Sequence, residues 1–336
     1  MMRISAFTFV RNAVMLDYPV VESISSALPL VDEFVVNVGD CSDDTLRLVE
    51  TIGSPKIRIV RGRWAPAVRS GGRVLAMQAD LALSHCRGDW ALYIQADEVL
   101  HEDDLPIIGE SLARHLDDSR IEGMLFDFIH FYANYHTRGV GRKWYESEVR
   151  IVRNGLGIRA WKDAQGFRVG GRKLRVVHSG GTVYHYGWVR EPAVMKRKTV
   201  ELARWWHDDR TVMEKYMPGG PEFAFDTGGR LAAFTGSHPA VMAPRIDSSA
   251  AGRAVPPHPR QRRSLIERLL DWLGLRLRWS PWRYRNYDLL RGRRPRSRAG
   301  SVPVPRLDPQ MGPADAVRRA TPSKGREDRT RCSPSD

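Results

Sequence analysis

The chain reads as an α/β protein on a mostly parallel central sheet, a class predicted by three observations. Short apolar runs of strand length recur at residues 4–9, 33–38, 56–60 and 90–94, separated by stretches with helical periodicity. Such alternation implies βαβ units with right-handed crossovers. The run Trp90-Ala91-Leu92-Tyr93-Ile94 does not alternate apolar with polar, which is the pattern of a central strand covered on both faces. It runs directly into Gln95-Ala96-Asp97-Glu98, and ligands of open α/β sheets sit at the carboxyl ends of strands.

Taken in order, residues 4–9 form the first strand, and Asp17 caps a helix with Pro19 in its first turn. Val20 or Val21, Ile24 and Leu28 give that helix one apolar face. After the second strand come Gly39-Asp40-Cys41-Ser42-Asp43-Asp44-Thr45 and a helix that stops at Gly53. Gly71-Gly72 opens a third helix, reaching about Cys86. Beyond Glu98, a helix carries Ile108, Leu112 and Leu116, and residues 123–132 form a fifth strand. Residues 133–147 read as a loop long enough to act as a lid, and 148–153 as a further strand. Residues 174–177 and 182–186 read as a hairpin around Ser179-Gly180-Gly181. A helix over 192–207 puts Met195, Leu202 and Trp206 on one side. Residues 209–261 are punctuated by Pro and Gly and read as irregular, and 264–279 as a basic amphipathic helix.

Composition bounds the function. With 42% hydrophobic residues in 336, most of the chain has the material for a large core. No stretch reaches the ~18 apolar residues of a membrane span, and the N-terminus lacks a signal-peptide pattern. Cys41, Cys86 and Cys332 lie far apart, which suggests neither a disulfide framework nor a zinc site, and a reducing cytoplasmic setting follows. Residues 291–336 hold twelve Lys/Arg against five Asp/Glu and supply half of the net +14. This Pro- and Arg-rich tail is expected to be disordered, either solvated or touching an anionic partner. The expected organisation is a catalytic domain over 1–190, a helical and irregular extension over 191–290, and the tail.

The acidic loop 39–45 after an aliphatic strand resembles the second-strand loop of family-two glycosyltransferases. Gly72, then Cys86-Arg87-Gly88-Asp89-Trp90, then Gln95-Ala96-Asp97-Glu98 are similar to that family's helix, central strand and metal-binding acidic motif, in the same order. The Gln-Ala-Asp-Glu-Val-Leu form is similar to a bacterial subgroup that includes lipopolysaccharide core transferases. The resemblance covers roughly residues 3–190. It implies the nucleotide-diphosphate-sugar (GT-A) fold, with a Rossmann-like first half and a mixed sheet completing the acceptor side. It implies hexosyl transfer with inversion in surface-glycan synthesis, and a glycan or lipid-linked acceptor. The chain departs from the pattern at Asn37 and Gly39 around a single Asp40, at Ala76-Met77-Gln78, and at Gln95-Ala96-Asp97, where one metal carboxylate stands unless Glu98 helps.

Transfer from a nucleoside diphosphate sugar needs a cation on the leaving diphosphate and a base for the acceptor hydroxyl. Asp97, with Glu98, is the expected ligand of Mg²⁺ or Mn²⁺; the other reading of the two acids is helix capping. His185 is either a second metal ligand, a diphosphate contact or a hydrogen-bonded core residue. Asn12 and Asp40 stand at strand ends, placed to hold base and ribose, and Gly72 belongs to the same donor site by resemblance. Asp40 and Asp43 could equally form turns and cap helices. Arg150 suits phosphate recognition, or is an ordinary surface charge. For the base, resemblance points to Asp163, with Glu146 and Glu148 competing. A sugar nucleotidyltransferase would need a Gly-rich basic loop after the first strand, where Phe9-Val10-Arg11-Asn12-Ala13 has no glycine. A non-enzymatic protein binding membrane or nucleic acid through the basic C-terminus leaves the strand-end acids unexplained. Peripheral membrane contact through residues 264–279 competes with packing onto the catalytic domain, and no specific nucleic acid is expected.

Overall fold

The computed structural model describes residues 1–141, 143–225, 230–249 and 285–290. The first half is the expected Rossmann-like unit. Strands β1 (Ile4–Val10), β2 (Glu33–Val38), β3 (Ile57–Arg61) and β4 (Trp90–Tyr93) run parallel in the order β3-β2-β1-β4. Helices α1 (Val20–Ala27), α2 (Thr45–Glu50) and α3 (Arg73–Ser84) make the crossovers.

From residue 98 the sheet becomes mixed. It adds β5 (Glu98–Leu100), helix α4 (Leu105–Arg114), and strands β6 (Gly123–Tyr132), β7 (Asn134–Val140) and β8 (Ser147–Arg153). There follow β9 (Ile158–Trp161), β10 (Gly166–Val169), the long β11 (Arg172–Trp188), helix α5 (Pro192–Ala203), β12 (Arg230–Ala233) and β13 (Tyr287–Leu289). The sheet order continues β4-β8-β6-β11-β10-β9; β8 is antiparallel to both β4 and β6, while β11 is parallel to β6. The expectation of a mostly parallel sheet therefore holds only for the first half. Short connections between β6, β7 and β8 leave no room for crossover helices, and antiparallel pairing needs none.

The β4 strand is the centre. All four of its residues are buried; Trp90 and Leu92 point into the core beneath α1 and α4, while Ala91 and Tyr93 point into the core against α3 and β10. β1 divides in the same way, with Ala6 and Val10 on one side and Phe7 on the other. Burial on both faces is why this run carries no polar alternation. Gly88 leads into β4 where a Cβ would lie 2.6 Å from the Ser5 nitrogen, so only glycine lets the chain pass this close to β1.

Several expected elements take another form. Helix α1 begins at Val20, and Asp17 does not cap it; Asp17 adopts φ +48° and its carboxylate accepts from Arg245 at 2.6 Å. The expected lid over 133–147 is largely strand β7, paired with β6 and β12. The expected hairpin at Ser179-Gly180-Gly181 is one continuous strand with a register shift between His178 and Thr182. Gly180 takes φ +89°, and a Cβ on Gly181 would come within 2.6 Å of Ile108, so the glycines make a bulge against α4 instead of a turn. Helix α5 ends at Ala203, and residues 230–233 and 243–248 of the expected irregular region are strand and helix. Residues 264–279 and the basic tail lie outside the described residues.

Candidate active-site cleft

A cleft of about 580 Å³ opens at the carboxyl ends of β1 and β4. Phe9 to Arg11 and Trp64 line one side; Asp97, His185 and Gly187 lie deep in it, and Met195, Lys198 and Leu202 of α5 face them. Asp163 and Trp205 also line it. Of the expected site residues, Asp97, Asp163 and His185 therefore share one cavity.

Asp97 gets there through a tight turn. The Gln95 N–H donates to Glu98 Oε2 at 3.1 Å, and the Glu98 N–H donates to the Gln95 carbonyl at 3.0 Å. β5 then pairs with β11, matching Glu98 with His185, and the Tyr186 N–H donates to the Asp97 carbonyl. Asp97 Oδ2 accepts from Lys198 Nζ at 2.9 Å and lies 3.8 Å from Arg190 Nη2. Burial works to raise the Asp97 carboxyl, but the charges of Lys198 and Arg190 outweigh it and hold the group well below the usual carboxylate range. Burial pushes the Lys198 ammonium down to about 8, with Arg190 adding to the effect and Asp97 opposing it. Lys198 also donates to the Gly187 carbonyl at 2.8 Å, and Arg190 donates to the carbonyls of Leu16, Tyr186 and Gly187. Both cations stack on Tyr18, at 4.7 Å for Arg190 and 4.9 Å for Lys198. Gly187 must lack a side chain: a Cβ there would lie 2.5 Å from His185 Nε2 and 3.0 Å from Asp97 Oδ2.

The histidines form a relay with one consistent tautomer. His130 Nε2 lies 2.9 Å from the Tyr145 carbonyl and must donate to it, which leaves His130 Nδ1 to accept from His185 Nδ1 at 3.0 Å. His185 Nε2 then carries a lone pair, 3.8 Å from Asp97 Oδ1. Burial pushes His185 down to about 3 and His130 to about 4, so both are neutral at physiological pH. Asp97 Oδ1 and His185 Nε2 are the donors this site could offer a divalent ion, and no group of three or more His, Cys, Asp or Glu able to hold a metal occurs among the described residues. Two buried cations already stand within 3.8 Å of the same single carboxylate. That donor set does not fit a resident divalent ion, whose own charge would add to theirs.

Glu98 points elsewhere. It is fully buried and held by Arg150 through two bonds, Nη2 to Oε1 at 2.6 Å and Nε to Oε2 at 2.8 Å. Arg150 also donates to the carbonyls of Val149 and Gln165 and lies over Tyr93 and Phe128. The pair locks the turn that aims Asp97, and neither side chain lines the cleft. Asn12, at φ +55°, accepts from the Ser42 N–H at 2.8 Å and braces the 39–45 loop. Asp40 is exposed beside Arg11 at 3.3 Å, and Asp43 accepts from the backbone of Met15 and Thr45, as a turn acid does. Gly72, at φ +73°, packs on Asp163 and Trp206 and donates its N–H to the Trp205 carbonyl, fastening the far wall of the cleft.

Asp163 is set between two residues in the left-handed region, Lys162 at φ +56° and Ala164 at φ +63°. Backbone strain of this kind concentrates at functional sites. Burial raises its carboxyl above the ordinary value, against backbone hydrogen bonds that lower it. Glu148 is buried on β8, takes a 3.3 Å bond from Gln165, and is pushed by burial up to about 7. Glu146 is exposed.

Lys198, Arg190, Tyr18 and Arg11 were not among the expected site residues. One signal for Lys198 was available: it falls three residues after Met195 and four before Leu202, on the apolar face of α5, where a lysine is out of place.

No protein-family model and no curated protein matches the chain. Among solved structures it is similar to S. aureus TarS 1-349 in complex with UDP, at 14% identity over 61% of this chain and 65% of that one, with a TM-score of 0.37. It is also similar to glucosyl-3-phosphoglycerate synthase from Mycobacterium tuberculosis in complex with Mn²⁺, UDP and phosphoglyceric acid, at 25% identity over 39% of this chain and 43% of that one, with a TM-score of 0.27. The aligned parts thus span less than two thirds of either relative. By sequence motif and by structural match alike, the chain is similar to glycosyltransferases of the GT-A fold.

Proposed function

We propose that this chain is a glycosyltransferase that takes a nucleoside diphosphate sugar in the cleft at the ends of β1 and β4. The observation that carries the reading is the meeting, in one cavity, of buried positive charge at Lys198 with a separate carboxylate, Asp163, held between two residues of left-handed backbone. Transfer of a sugar to a hydroxyl needs these two things: charge to receive the leaving diphosphate and a base for the nucleophile.

In this reading Asp163 takes the proton from the acceptor hydroxyl. The oxygen attacks the anomeric carbon from the face opposite the diphosphate, and the carbon–oxygen bond to the diphosphate breaks with its electron pair leaving on phosphate. One displacement gives inversion. A carboxyl raised by burial is a stronger base than an exposed one, which supports Asp163 in this role. Glu148, the competing base of the sequence reading, is bonded by Gln165 and does not line the cleft. The acceptor in this reading is the glycan or lipid-linked hydroxyl implied by the sequence resemblance, in a cytoplasmic setting; no helix among the described residues is long and apolar enough to cross a membrane.

A panel of UDP-, GDP-, ADP-, CDP- and dTDP-sugars, followed for release of the nucleoside diphosphate with and without candidate acceptors, tests the proposal. Asp163→Asn should lower the transfer rate by about 10²–10⁴-fold while leaving donor affinity within a small factor. Unchanged turnover in that variant removes Asp163 from the base role. Failure of every donor to bind or react removes the enzyme reading itself.

A further inference from the structure

The cluster at the bottom of the cleft carries the wrong sign for a cation site. Lys198 and Arg190 are both buried, and both lie within 3.8 Å of the Asp97 carboxylate. With His185 neutral, two positive groups stand against one negative group, leaving a net positive charge where a cavity reaches the sheet edge. Lys198 spends two of its three N–H donors on Asp97 and Gly187, and its side chain lines the cavity. Arg190 Nη2 is buried and has no hydrogen-bond partner among the described residues. The third N–H of Lys198 on the cavity wall, with the positive charge of Arg190 behind it, suits an anionic ligand.

We propose that Lys198, backed by Arg190, neutralises the diphosphate leaving group, and that Asp97 anchors the Lys198 ammonium instead of holding a divalent ion. The proposal rests on the reading of the cleft as a sugar-nucleotide site and deepens it. As the bond between the anomeric carbon and the diphosphate breaks, its electron pair goes to the β-phosphate oxygen, beside the ammonium. Lys198 stays protonated throughout, and the acceptor's proton goes to the base. A fixed ammonium supplies transition-state stabilisation of the same kind as a metal clamp, already oriented by its two hydrogen bonds. Asp97 is then a positioning residue, and the single carboxylate of Gln95-Ala96-Asp97 is no longer a deficient metal motif.

Isothermal titration of UDP, GDP, ADP, CDP and dTDP into the full-length protein, first in EDTA and then in Mn²⁺, tests this. One diphosphate is expected to bind in EDTA, with an affinity that Mn²⁺ leaves essentially unchanged. Lys198→Met should weaken that binding by about 10- to 100-fold, and Lys198→Arg should recover part of it. If Lys198→Met does not fold, the double variant Asp97→Asn with Lys198→Met removes both buried charges together and is read in its place. Binding that appears only with Mn²⁺ overturns the proposal and leaves the sugar-nucleotide reading intact. Binding in EDTA that Lys198→Met does not weaken also overturns it. Absence of binding by every diphosphate in both buffers overturns the proposal together with the reading beneath it.

Discussion

Asp97 and Glu98 are adjacent carboxylates, Glu98 facing one buried cation and Asp97 two, and they do opposite work. Glu98 gives both oxygens to Arg150 in a two-point lock with no exposure on either side. Asp97 gives one oxygen to Lys198 at the bottom of an open cleft, with its other oxygen facing His185 across 3.8 Å. Matched charge and matched geometry make the first pair a fastening. Surplus positive charge and an unshared oxygen make the second a place where something else binds. Two acids in a row after a strand are therefore not interchangeable evidence for a metal site; what faces each one decides.

The comparison can be broken most forcefully at the lock. Arg150→Met should cost about 3–5 kcal/mol of stability, because it strands the Glu98 carboxylate in a dry interior. Chemical denaturation of this variant measures it, and a loss below 1 kcal/mol would mean the pair is not the fastening described.

A third carboxylate sharpens the contrast. Glu148 is buried like Glu98 but has no bonded cation among the described residues, and its carboxyl sits at about 7 against an ordinary 4.5. The folded state thus holds this proton more tightly than the unfolded chain. Its contribution to stability is full below pH 4.5, falls as pH rises toward 7, and is flat above that. Glu148→Gln should remove that slope and stabilise the fold at pH 8 by up to about 3 kcal/mol. Denaturation midpoints of parent and variant between pH 5 and 8 check the sign.

The smallest effect belongs to the exposed pair. Asp40 meets Arg11 at 3.3 Å with more than half of its side chain in solvent. Asp40→Ala should change stability by about 1 kcal/mol or less, and salt should erase even that. A larger change in thermal midpoint would mean the 39–45 loop depends on this pair.

The parallel half of the sheet was legible because its strands are apolar on both faces and its helices are periodic; 33–38 matches β2 to the residue, and in the mixed half the apolar run 123–132 matches β6 as well. The mixed half was less so. Asn134–Val140 is polar and lies toward an edge, so nothing local distinguishes it from a loop until β6 and β12 pair with it. Ser179-Gly180-Gly181 carries the chemistry of a turn, and only packing against Ile108 shows that a bulge uses it. The same limit governs the site. Asp97 could be placed at a strand end from its flanking run, whereas Lys198 sits in Lys196-Arg197-Lys198, which in one dimension looks like a solvated basic face. Its neighbour Lys196 is indeed turned outward to the Pro218 carbonyl, and the one sequence signal that separates the two is the spacing of Lys198 from Met195 and Leu202.

The fastening of Gly71 and Gly72 to the carbonyls of Trp206 and Trp205 bears on how the gene may be cut. A fragment stopping near residue 190, where the strand–helix alternation gives out, would keep every strand of the Rossmann-like half. It would nonetheless lack the lysine and the aromatic wall, and would expose the apolar side of α3 that those tryptophans approach. Expression fragments, fusions and library designs built on this protein should keep the segment through His207 attached to the sheet it closes.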